Sequence, residues 1–417
     1  MRIVISSIGS RGDVHPALAL GVELQGLGHD VIVCAPPDFA ADAAVASVPF
    51  RSIGRPMAAQ IDSAVSMFGK GRGLFSFRRS WEAQIRDQLV VLDEVTQGAD
   101  LYLETSLITC GITAAETLGV PYRYIALCPT AFPSRQHAPG FLPVESLPFG
   151  LNLVAARLVS AVISRLLGST LAEERRRRGL PVTGAFGAWQ TAFRLGTPIL
   201  AADPTLAPLP RDLAAKVIQT AGMRLRSADP LSPELERFLR EGEPPVFVGF
   251  GSMPLSERGE ITLAVQSAMR AAGRRAVIQG LASIAHHDDS VFSIGAEPHE
   301  KLFPRCSAVV HHGGAGTTLS AAAAGVPQVI APVMADQHYW ARRVRALGLG
   351  PGPVAWRSLA RELPSATSWA HSPDCVASAR SLAASIVADG AAVTARVVFS
   401  AAGGREGRPD LPAGASS

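Results

Sequence analysis

Short apolar runs alternate with helical segments at the start of the chain. Residues 2–6 form an apolar run of the length of a buried strand, and a glycine-containing turn, residues 9–13, follows it. Pro16 then opens a mostly apolar segment of helical length, and residues 31–34 form a second strand-like run. A strand, a turn, a helix and a strand within about 35 residues predict a βαβ unit and therefore a parallel sheet.

The same alternation continues through the first half of the chain and restarts after a proline-rich stretch. The further strand-like runs lie at residues 100–103, 124–127, 246–250, 275–278, 308–310 and 328–330. Between residues 203 and 245, prolines are frequent among polar residues and periodicity is weak, which is typical of an interdomain connection. We therefore predict an α/β protein in which two Rossmann-like domains with parallel sheets face each other across a ligand-binding cleft.

These patterns also give the expected domain boundaries. The first domain is expected to span residues 1–215, the connection residues 216–243, and the second domain residues 244–375. A C-terminal helix within residues 376–402 is expected to cross back to the first domain. The remaining residues, 403–417, are rich in Gly, Pro, Ser and Arg, a composition typical of a disordered tail.

Composition and charge exclude several classes of protein. Hydrophobic residues make up 47% of the chain and charged residues 18%, which excludes a mostly disordered chain. Lys and Arg number 39 against 35 acidic residues, an excess too small to argue for nucleic acid, although a weakly basic face toward an anionic ligand or a membrane stays open. The five cysteines are scattered without a C-x-x-C pair, so neither a disulfide framework nor a zinc site is expected, and a reducing cytoplasm fits better.

The chain carries no segment typical of secretion or of a membrane span. Its N-terminus lacks a small-residue cleavage site, so no signal peptide is expected. The longest uncharged stretch, residues 313–335, is interrupted by glycine and prolines, which disfavours a bilayer-spanning helix. The charged run at residues 173–178 fits either a solvated helix end or a basic patch facing a membrane. We expect a cytoplasmic protein with membrane contact only at its surface, and the sequence leaves the oligomeric state open.

The clearest chemical signal lies between a strand and an alanine-rich helix. Gly313, Gly314 and Gly316 let the backbone approach a ligand closely, and the helix N-terminus behind them offers free amide groups suited to a phosphate. His312 and the Thr317 hydroxyl add further donors. The alternative is a glycine-rich turn that binds nothing. Metal binding by the adjacent histidines is disfavoured because neighbouring side chains point apart and no carboxylate is close in sequence.

Three further motifs follow strands, where open α/β sheets bind their ligands. Asp336 and Gln337 together suit the hydroxyls of a sugar, although an aspartate here could instead cap the following helix. Ser252 stands in a turn that could hold a phosphate. Asp13 stands at the first strand-to-helix turn, where it could also be a helix N-cap. That turn lacks G-x-G-x-x-G spacing, so a dinucleotide fingerprint is not supported.

Taken in order, these motifs resemble those of family 1 nucleotide-sugar glycosyltransferases of GT-B fold. The similarity is to the bacterial branch with glycopeptide-antibiotic glycosyltransferases, sterol glucosyltransferases and mycobacterial glycolipid rhamnosyltransferases. The segments that carry it span nearly the whole chain and lie at residues 9–16, 249–253, 298–304, 311–318, 325–327 and 336–337. The resemblance implies an α/β GT-B fold and an inverting transfer of a sugar from a nucleotide diphosphate donor, without a metal or other cofactor.

The resemblance also implies roles for individual residues of the second domain. In such enzymes His312 contacts the diphosphate, residues 298–299 lie in the loop that holds base and ribose, and Asp336 with Gln337 holds the sugar hydroxyls. The implied donor-binding residues here are Ser252, Pro298, His299, His312, Gly314, Gly316, Thr317, Asp336 and Gln337. The tryptophan that stacks on the base in plant relatives would fall near Ala296, so base recognition is not predicted.

In the first domain, Asp13 matches the position of the catalytic base, which is a histidine in many plant relatives. Ser10 and Arg11 belong to the same turn and are expected to contact the donor. In plant relatives a distant aspartate orients the histidine base. The sequence shows no equivalent residue for an aspartate base, and Glu104 is only a loose candidate for a residue that assists Asp13. An ordinary aspartate has a pKa of about 3.9 and is a weak base. The cleft must therefore raise the pKa of Asp13, or proton transfer must come late in the transition state.

Two other functions and the identity of the acceptor stay open at this point. A catalytically silent nucleotide-sugar or lipid-binding protein, or an epimerase that releases the sugar without an acceptor, could share these motifs. The irregular stretches at residues 49–77 and 130–151 contain several Phe and Met residues, including Phe132 and Phe149. They suit a lipophilic acceptor such as a polyketide, sterol, carotenoid or lipid, or they pack as the cores of loops. Nothing distinguishes a UDP-linked from a dTDP-linked donor.

Overall fold

A computed structural model describes most of the chain. The described residues are 1–56, 73–105, 110–140, 142, 144–182, 188–251, 258–280 and 290–400. Ser252 and the predicted tail at residues 403–417 lie outside them.

Seven parallel strands form the first sheet, in the order β3-β2-β1-β4-β5-β6-β7. They are β1 (Arg2–Ser6), β2 (Asp30–Ala35), β3 (Phe50–Ser52), β4 (Leu101–Glu104), β5 (Tyr122–Ala126), β6 (Ile199–Leu200) and β7 (Ile218–Gln219). The helices of this half are α1 (Arg11–Gly26), α2 (Ala40–Val45), α3 (Gly73–Thr96), α4 (Cys110–Leu118), α5 (Asn152–Leu167), α6 (Ser169–Arg177) and α7 (Ala188–Leu195).

Five parallel strands form the second sheet, in the order β10-β9-β8-β11-β12. They are β8 (Val246–Gly249), β9 (Ala276–Gln279), β10 (Val291–Ile294), β11 (Ala308–His311) and β12 (Gln328–Ile330). The remaining helices are α8 (Pro233–Arg240), α9 (Arg258–Ala271), α10 (His299–Leu302), α11 (Ala315–Ala323), α12 (Gln337–Ala346), α13 (Leu359–Ala370), α14 (Pro373–Ala383) and α15 (Gly390–Ser400).

Both sheets are covered by helices on their two faces, as the continuous apolar strands require. In β1, Ile3 and Ile5 belong to a buried cluster with residues of α1 and α15. Val4 points to the opposite face and belongs to a cluster with residues of α3 and α4. In each sheet the strand order reverses beside the first strand of the domain, and ligands of open α/β sheets bind at that point. The predicted pair of parallel α/β domains is confirmed.

The predicted connection at residues 216–243 differs from the observed one at both ends. Strand β7 extends the first sheet beyond residue 215 because it pairs with β6. Helix α8 belongs to the second domain, since Leu235 and Phe238 pack in a cluster with Phe247. A two-residue strand and an eight-residue helix among prolines are too short to produce a readable periodicity, which is why the sequence assigned both to the connection.

The C-terminal segment predicted as one helix at residues 376–402 forms two helices that pack on different domains. Helix α14 contacts α11 of the second domain, whereas α15 packs along α1 of the first. The backbone enters α15 at Gly390, where a Cβ atom would lie 2.2 Å from the Gly222 carbonyl oxygen. The Thr394 hydroxyl is 2.8 Å from that of Thr220, beyond the end of β7. Only α15 therefore crosses back to the first domain.

The helical region between residues 152 and 177 is divided at Gly168 into α5 and α6. The segments Asn152–Arg165 and Ser169–Arg177 meet at an angle of 77°. Together they reach the length and apolar composition of a membrane span, but within the described part of the chain no single helix does so.

Two arginines of the charged run at residues 173–178 attach α6 to neighbouring helices through ion pairs. Arg175 is fully buried, and its guanidinium donates to the Glu116 carboxylate at 2.6 Å and to the Thr113 hydroxyl at 3.0 Å. Arg178 forms two hydrogen bonds of 2.7 Å to Asp93. The prediction of a solvated helix end is therefore wrong for these two arginines, because acidic partners distant in sequence neutralise them.

Replacing Arg175 with Ala should lower the free energy of unfolding by about 3 kcal/mol, because it leaves a partly buried carboxylate without its main cation. Urea denaturation followed by circular dichroism measures the change. Arg177→Ala is the matched control, since that side chain is 71% exposed and pairs with Glu174 at the surface, where ion pairs contribute little. Equal destabilisation by both substitutions would contradict the assigned role of the buried pair.

Candidate active site

Asp13 lies in the first turn of α1, directly after the end of β1. Ser10 is the N-cap, and its hydroxyl accepts a hydrogen bond from the Gly12 amide at 3.3 Å. The Ser10 amide donates to Asp13 Oδ2 at 2.8 Å, which completes a capping box. Asp13 is therefore the third residue of the helix and not its N-cap. The helix begins at Arg11, and Pro16, expected to open it, lies inside it.

The carboxyl of Asp13 is held against the backbone of the preceding turn. Gly9 has a φ of +145°, and a Cβ atom there would lie 2.2 Å from Asp13 Oδ2. The position therefore excludes a side chain. The Ser10 hydroxyl lies 3.2 Å from the same carboxylate oxygen. The turn that ends β1 thus fixes both the place and the orientation of this acid.

Two acids, one from each domain, meet in the cleft. Burial, and then the nearby carboxylate of Asp336, raise the pKa of Asp13 to about 7, while the hydrogen bonds from Ser10 oppose the rise. Burial also raises the pKa of Asp336. The sequence required either a raised pKa or a late proton transfer, and the structure supplies the raised pKa.

Asp336 occupies the N-cap position of α12, but its side chain makes no capping hydrogen bond. Its Oδ2 instead accepts a hydrogen bond from the indole Nε1 of Trp340 at 2.9 Å, one turn along the helix. The preceding residue, Ala335, has a φ of +51°, a left-handed conformation that is costly for a residue with a Cβ atom. The loop therefore presents this carboxyl to the cleft and does not use it as the helix cap.

Gln337 holds the loop that carries Asp336. Its side-chain oxygen accepts hydrogen bonds from the amides of Val333 at 2.8 Å and Met334 at 3.0 Å. Its own backbone lies against Gly313, where a Cβ atom would be 3.1 Å from the Gln337 carbonyl oxygen. The carboxamide oxygen is thus a positioning group, and the contact of Gln337 with a sugar stays a prediction.

The predicted phosphate loop joins β11 to α11. Gly314 is the N-cap of α11 and has no side chain to cap it, so no side-chain cap occupies the amides of the first turn, at residues 315–317. His311 is fully buried, with Nε2 3.0 Å from Gln328 Oε1 and Nδ1 accepting from the Gly313 amide at 3.1 Å. Burial lowers the pKa of His311 to about 3, so it braces the loop as a neutral imidazole.

The ring of His312 lies between two glycines. A Cβ atom at Gly314 would lie 2.7 Å from Nε2 of the ring, and one at Gly251 would lie 3.3 Å from Cε1. Burial lowers the pKa of His312 to about 4, so its imidazole is neutral near pH 7. Its Nδ1 is buried and has no hydrogen-bond partner among the described residues. A nitrogen so placed is available to a ligand.

The adjacent histidines diverge, as expected. The ring planes of His311 and His312 are 82° apart and their centroids are separated by 6.4 Å. In the described part of the chain, no three His, Cys, Asp or Glu side chains are grouped as metal ligands would be. The absence of a metal requirement stays a prediction.

The loop at Pro298 and His299 faces residues of α1 across the cleft. Pro298 is the N-cap of the short helix α10, and the His299 ring stacks on Phe303 with centroids 4.3 Å apart. Burial, and then the side chains of Arg11 and His15 in the first domain, lower the pKa of His299 to about 4. The structure therefore brings the two predicted regions together.

His15 was not singled out from the sequence. Its Nε2 lies 3.0 Å from Asp42 Oδ2, and Arg11 Nε lies 3.9 Å from the same oxygen. Asp42 comes from α2, 27 residues beyond His15. The only signal in the sequence was a histidine two residues after Asp13, and nothing there indicated that Asp42 is its partner.

An apolar pocket opens beside the two cleft acids. The pocket and its mouth together contain about 930 Å³ of space, which includes open solvent. Its wall includes the aromatic rings of Tyr124, Phe132 and Trp189, which pack edge-on or tilted against one another. Asp13 and Asp336 both line it. Of the two predicted apolar stretches, 130–151 contributes to this wall, and residues 57–72 of the other lie outside the described residues.

Glu104, the loose candidate for a helper, is buried at the end of β4. The Tyr122 hydroxyl donates to its Oε2 at 2.6 Å and the Gly111 amide to its Oε1 at 3.3 Å. Burial raises the pKa of Glu104 to about 8. Its hydrogen bonds within the described residues go to β5 and α4, and none goes to Asp13.

Two Rossmann-like domains, with a glycine-rich strand-to-helix loop in one and a carboxyl of raised pKa in the other, form the arrangement expected of a GT-B glycosyltransferase. Comparison with protein families gives the same result. Residues 3–132 match the glycosyltransferase family 28 N-terminal domain. Residues 277–392 match the erythromycin biosynthesis protein CIII-like C-terminal domain.

Known proteins extend the match over the whole chain. The chain is 38% identical to vancomycin aglycone glucosyltransferase of Amycolatopsis orientalis, over 96% of this chain and 98% of the relative. It is 34% identical to dTDP-epi-vancosaminyltransferase of the same organism, over 85% and 86%. The crystal structure of SsfS6, a Streptomyces sp. SF2575 glycosyltransferase complexed with thymidine diphosphate, shares the fold with a TM-score of 0.61, 20% identity and 96% and 100% coverage.

The chain therefore belongs to the antibiotic-type family of GT-B glycosyltransferases, and it is an enzyme that uses a nucleotide-sugar donor. The resemblance read from its motifs is confirmed.

Replacing Asp336 with Asn should lower the pKa of Asp13, because it removes a like charge while keeping an oxygen for the Trp340 indole. Replacing Ser10 with Ala should raise that pKa, because a hydrogen bond to the carboxylate is lost. Carbon-13 NMR titration of the aspartate carboxyls measures both shifts, with Asp13→Asn identifying the signal. An unchanged midpoint in D336N would show that the two carboxyls do not interact.

Proposed function

We propose that the enzyme transfers a sugar, with inversion, from a UDP- or dTDP-linked donor to a hydroxyl of a lipophilic aglycone, with Asp13 as the general base. One observation carries the proposal. The Asp13 carboxyl, whose pKa is near 7, lines an apolar pocket at the cleft between the domains.

The donor is proposed to lie along the second domain. The diphosphate would occupy the N-terminus of α11, where the helix dipole and unpaired amides favour an anion. The neutral His312 would donate one hydrogen bond to it, because one ring nitrogen of an imidazole carries a hydrogen. These preorganised donors stabilise the charge that develops on the leaving diphosphate. We propose that they do so without a metal.

The chemistry follows from the position of the base. As the acceptor oxygen attacks the anomeric carbon, Asp13 takes its proton and the bond from that carbon to the diphosphate oxygen breaks. Attack from the face opposite the leaving group inverts the configuration. A base whose pKa is about 7 is ionised in roughly half of the molecules at neutral pH and is stronger than an ordinary aspartate.

The acceptor is proposed to enter the apolar pocket. Its wall is mostly apolar and includes Asp13, so a hydrophobic aglycone would present a hydroxyl to that carboxyl. The name of the 38% identical relative specifies the vancomycin aglycone as acceptor, and a natural-product aglycone is the class proposed here. The name of another relative specifies a dTDP-linked donor, so both nucleotides belong in the test.

Replacing Asp13 with Asn should slow turnover by roughly 10²–10⁴-fold and leave nucleotide-sugar affinity nearly unchanged. The new amide keeps an oxygen for the Ser10 amide hydrogen, so α1 should still begin at Arg11. Nucleotide release from UDP-glucose and dTDP-glucose is measured with and without a panel of hydrophobic acceptors. Mass spectrometry detects the glycoside and NMR its anomeric configuration.

The outcomes of this assay are distinct. Acceptor-dependent release with an inverted glycoside, unaffected by EDTA, supports the proposal. Release that needs no acceptor indicates an epimerase-like reaction, and binding without release indicates a catalytically silent protein. Undiminished turnover in D13N removes Asp13 as the base.

Replacing His312 with Ala should weaken the binding of UDP and dTDP by roughly tenfold or more, because a hydrogen bond to a charged group is lost. Isothermal calorimetry measures the affinities. Uridine and thymidine, which lack phosphates, are the matched control ligands, and their affinity should not change. Equal affinity of wild type and H312A for the diphosphates would exclude the assigned contact.

A further inference from the structure

Helix α5 carries a row of exposed apolar side chains. Leu151 is 44% exposed, Val154 58%, Leu158 64% and Val162 48%. Their spacing of three, four and four residues places them on one side of the helix, the α5 apolar face. Exposed apolar residues are usually scattered singly on a protein surface, so an aligned row marks a surface that binds something.

The opposite side of the same helix lines the apolar pocket. Ala156, Val159 and Ser160 belong to its wall. Residues 156, 159 and 160 lie about 100° or more around the helix from the centre of the exposed row, at 100° per residue. Helix α5 therefore separates the proposed acceptor pocket from the surroundings of the protein.

An exposed aromatic ring precedes the helix. Phe149 is 97% exposed, and its φ of +56° puts a bulky residue in the left-handed region. This conformation is uncommon for such a residue. The ring gains nothing from packing against the protein itself. Aromatic rings at such positions are typical of the interface between water and lipid.

The charges of α5 indicate which partner covers it. Arg157 and Arg165 are the only charged residues within Asn152–Leu167, and both are exposed. A second copy of the chain, related by a two-fold axis, would bring this purely cationic helix against itself. An anionic surface would instead complement both arginines.

We propose that the α5 apolar face docks on an anionic lipid bilayer, with the helix lying in the plane of the interface. Arg157 lies beside the apolar row and Arg165 continues its line one turn beyond Val162. An amphipathic helix with basic residues next to its apolar row and an aromatic anchor binds in this way. The 77° bend between α5 and α6 fits a helix that lies on the bilayer better than one that crosses it. The pocket behind α5 would then open where lipophilic acceptors partition, and this last link rests on the proposed function.

The test is flotation of the full chain with vesicles of phosphatidylcholine, alone or mixed with phosphatidylglycerol, at low and high salt. The wild type should bind the mixed vesicles, bind pure phosphatidylcholine weakly, and lose affinity as salt rises. Leu158→Glu should reduce binding by about tenfold or more. Removing both charges, with Arg157→Gln and Arg165→Gln, should reduce it by about fivefold for each arginine.

Leu263→Glu is the matched control, because Leu263 is 67% exposed on α9 of the other domain and should leave vesicle binding unchanged. Circular dichroism and nucleotide-sugar binding confirm that each variant is folded.

A wild type that stays unbound, or a Leu158→Glu variant that binds equally well, would overturn the proposal. So would a wild-type dimer in sedimentation equilibrium that Leu158→Glu dissociates without any binding to vesicles, since the face would then join two copies. Flotation needs no turnover, so an enzyme that binds vesicles but transfers no sugar counts against the proposed function alone.

Discussion

The placement of two partly buried carboxyl groups, one from each domain, beside a shared pocket is the feature on which the cleft of this protein depends. Asp13 follows the first strand of one domain and Asp336 follows the last strand of the other, so the two acids approach only when both domains are in place. Their proximity is unfavourable and must be sustained by the surrounding structure. The capping box at Ser10 and the indole of Trp340 hold the two acids locally. The interdomain contacts hold them together at long range: α15 packs on α1, and the Arg343 guanidinium donates to the Leu206 carbonyl oxygen at 2.9 Å.

The phosphate loop depends on a different constraint, which is the lack of side chains around one histidine ring. His312 fits because Gly251 and Gly314 leave room for it, and it stays neutral because it is buried. The loop therefore offers an anion the helix dipole and neutral hydrogen-bond donors, and not a charged side chain. Such groups need no counter-charge when the cleft is empty, and a buried cation would be costly there.

The sequence predicted what local patterns determine. Eight of the twelve described strands, the parallel sheets and the glycine-rich strand-to-helix loop follow from periodicity and spacing within about 20 residues. Asp13 was singled out for the same reason. Its place inside a capping box was missed, because the helix was expected to start at Pro16 and starts at Arg11. Short elements such as β7 and α8 were missed because two to eight residues are too few to show a repeating pattern of hydrophobic positions.

The remaining features depend on partners far apart in the chain. The buried role of Arg175 depends on Glu116, 59 residues earlier, and the bracing of His311 depends on Gln328. The raised pKa of Asp13 depends on an acid of the other domain. Only tertiary structure brings such groups together. The structural roles of a run of arginines or of a pair of histidines therefore cannot be predicted from the sequence alone. The similarity to known glycosyltransferases established the class of reaction, while the geometry supports the roles proposed for individual side chains.

The most direct test of the account is the pH dependence of kcat/KM for sugar transfer, since this ratio reports the ionisation of groups in the free enzyme. If burial beside Asp336 sets the strength of the base, kcat/KM should rise with pH to a plateau, with its midpoint near 7. The rise follows because only the ionised Asp13 carboxylate can accept the proton. A rate already at its plateau near pH 5 would contradict the account, because the base would then have the pKa of an ordinary aspartate.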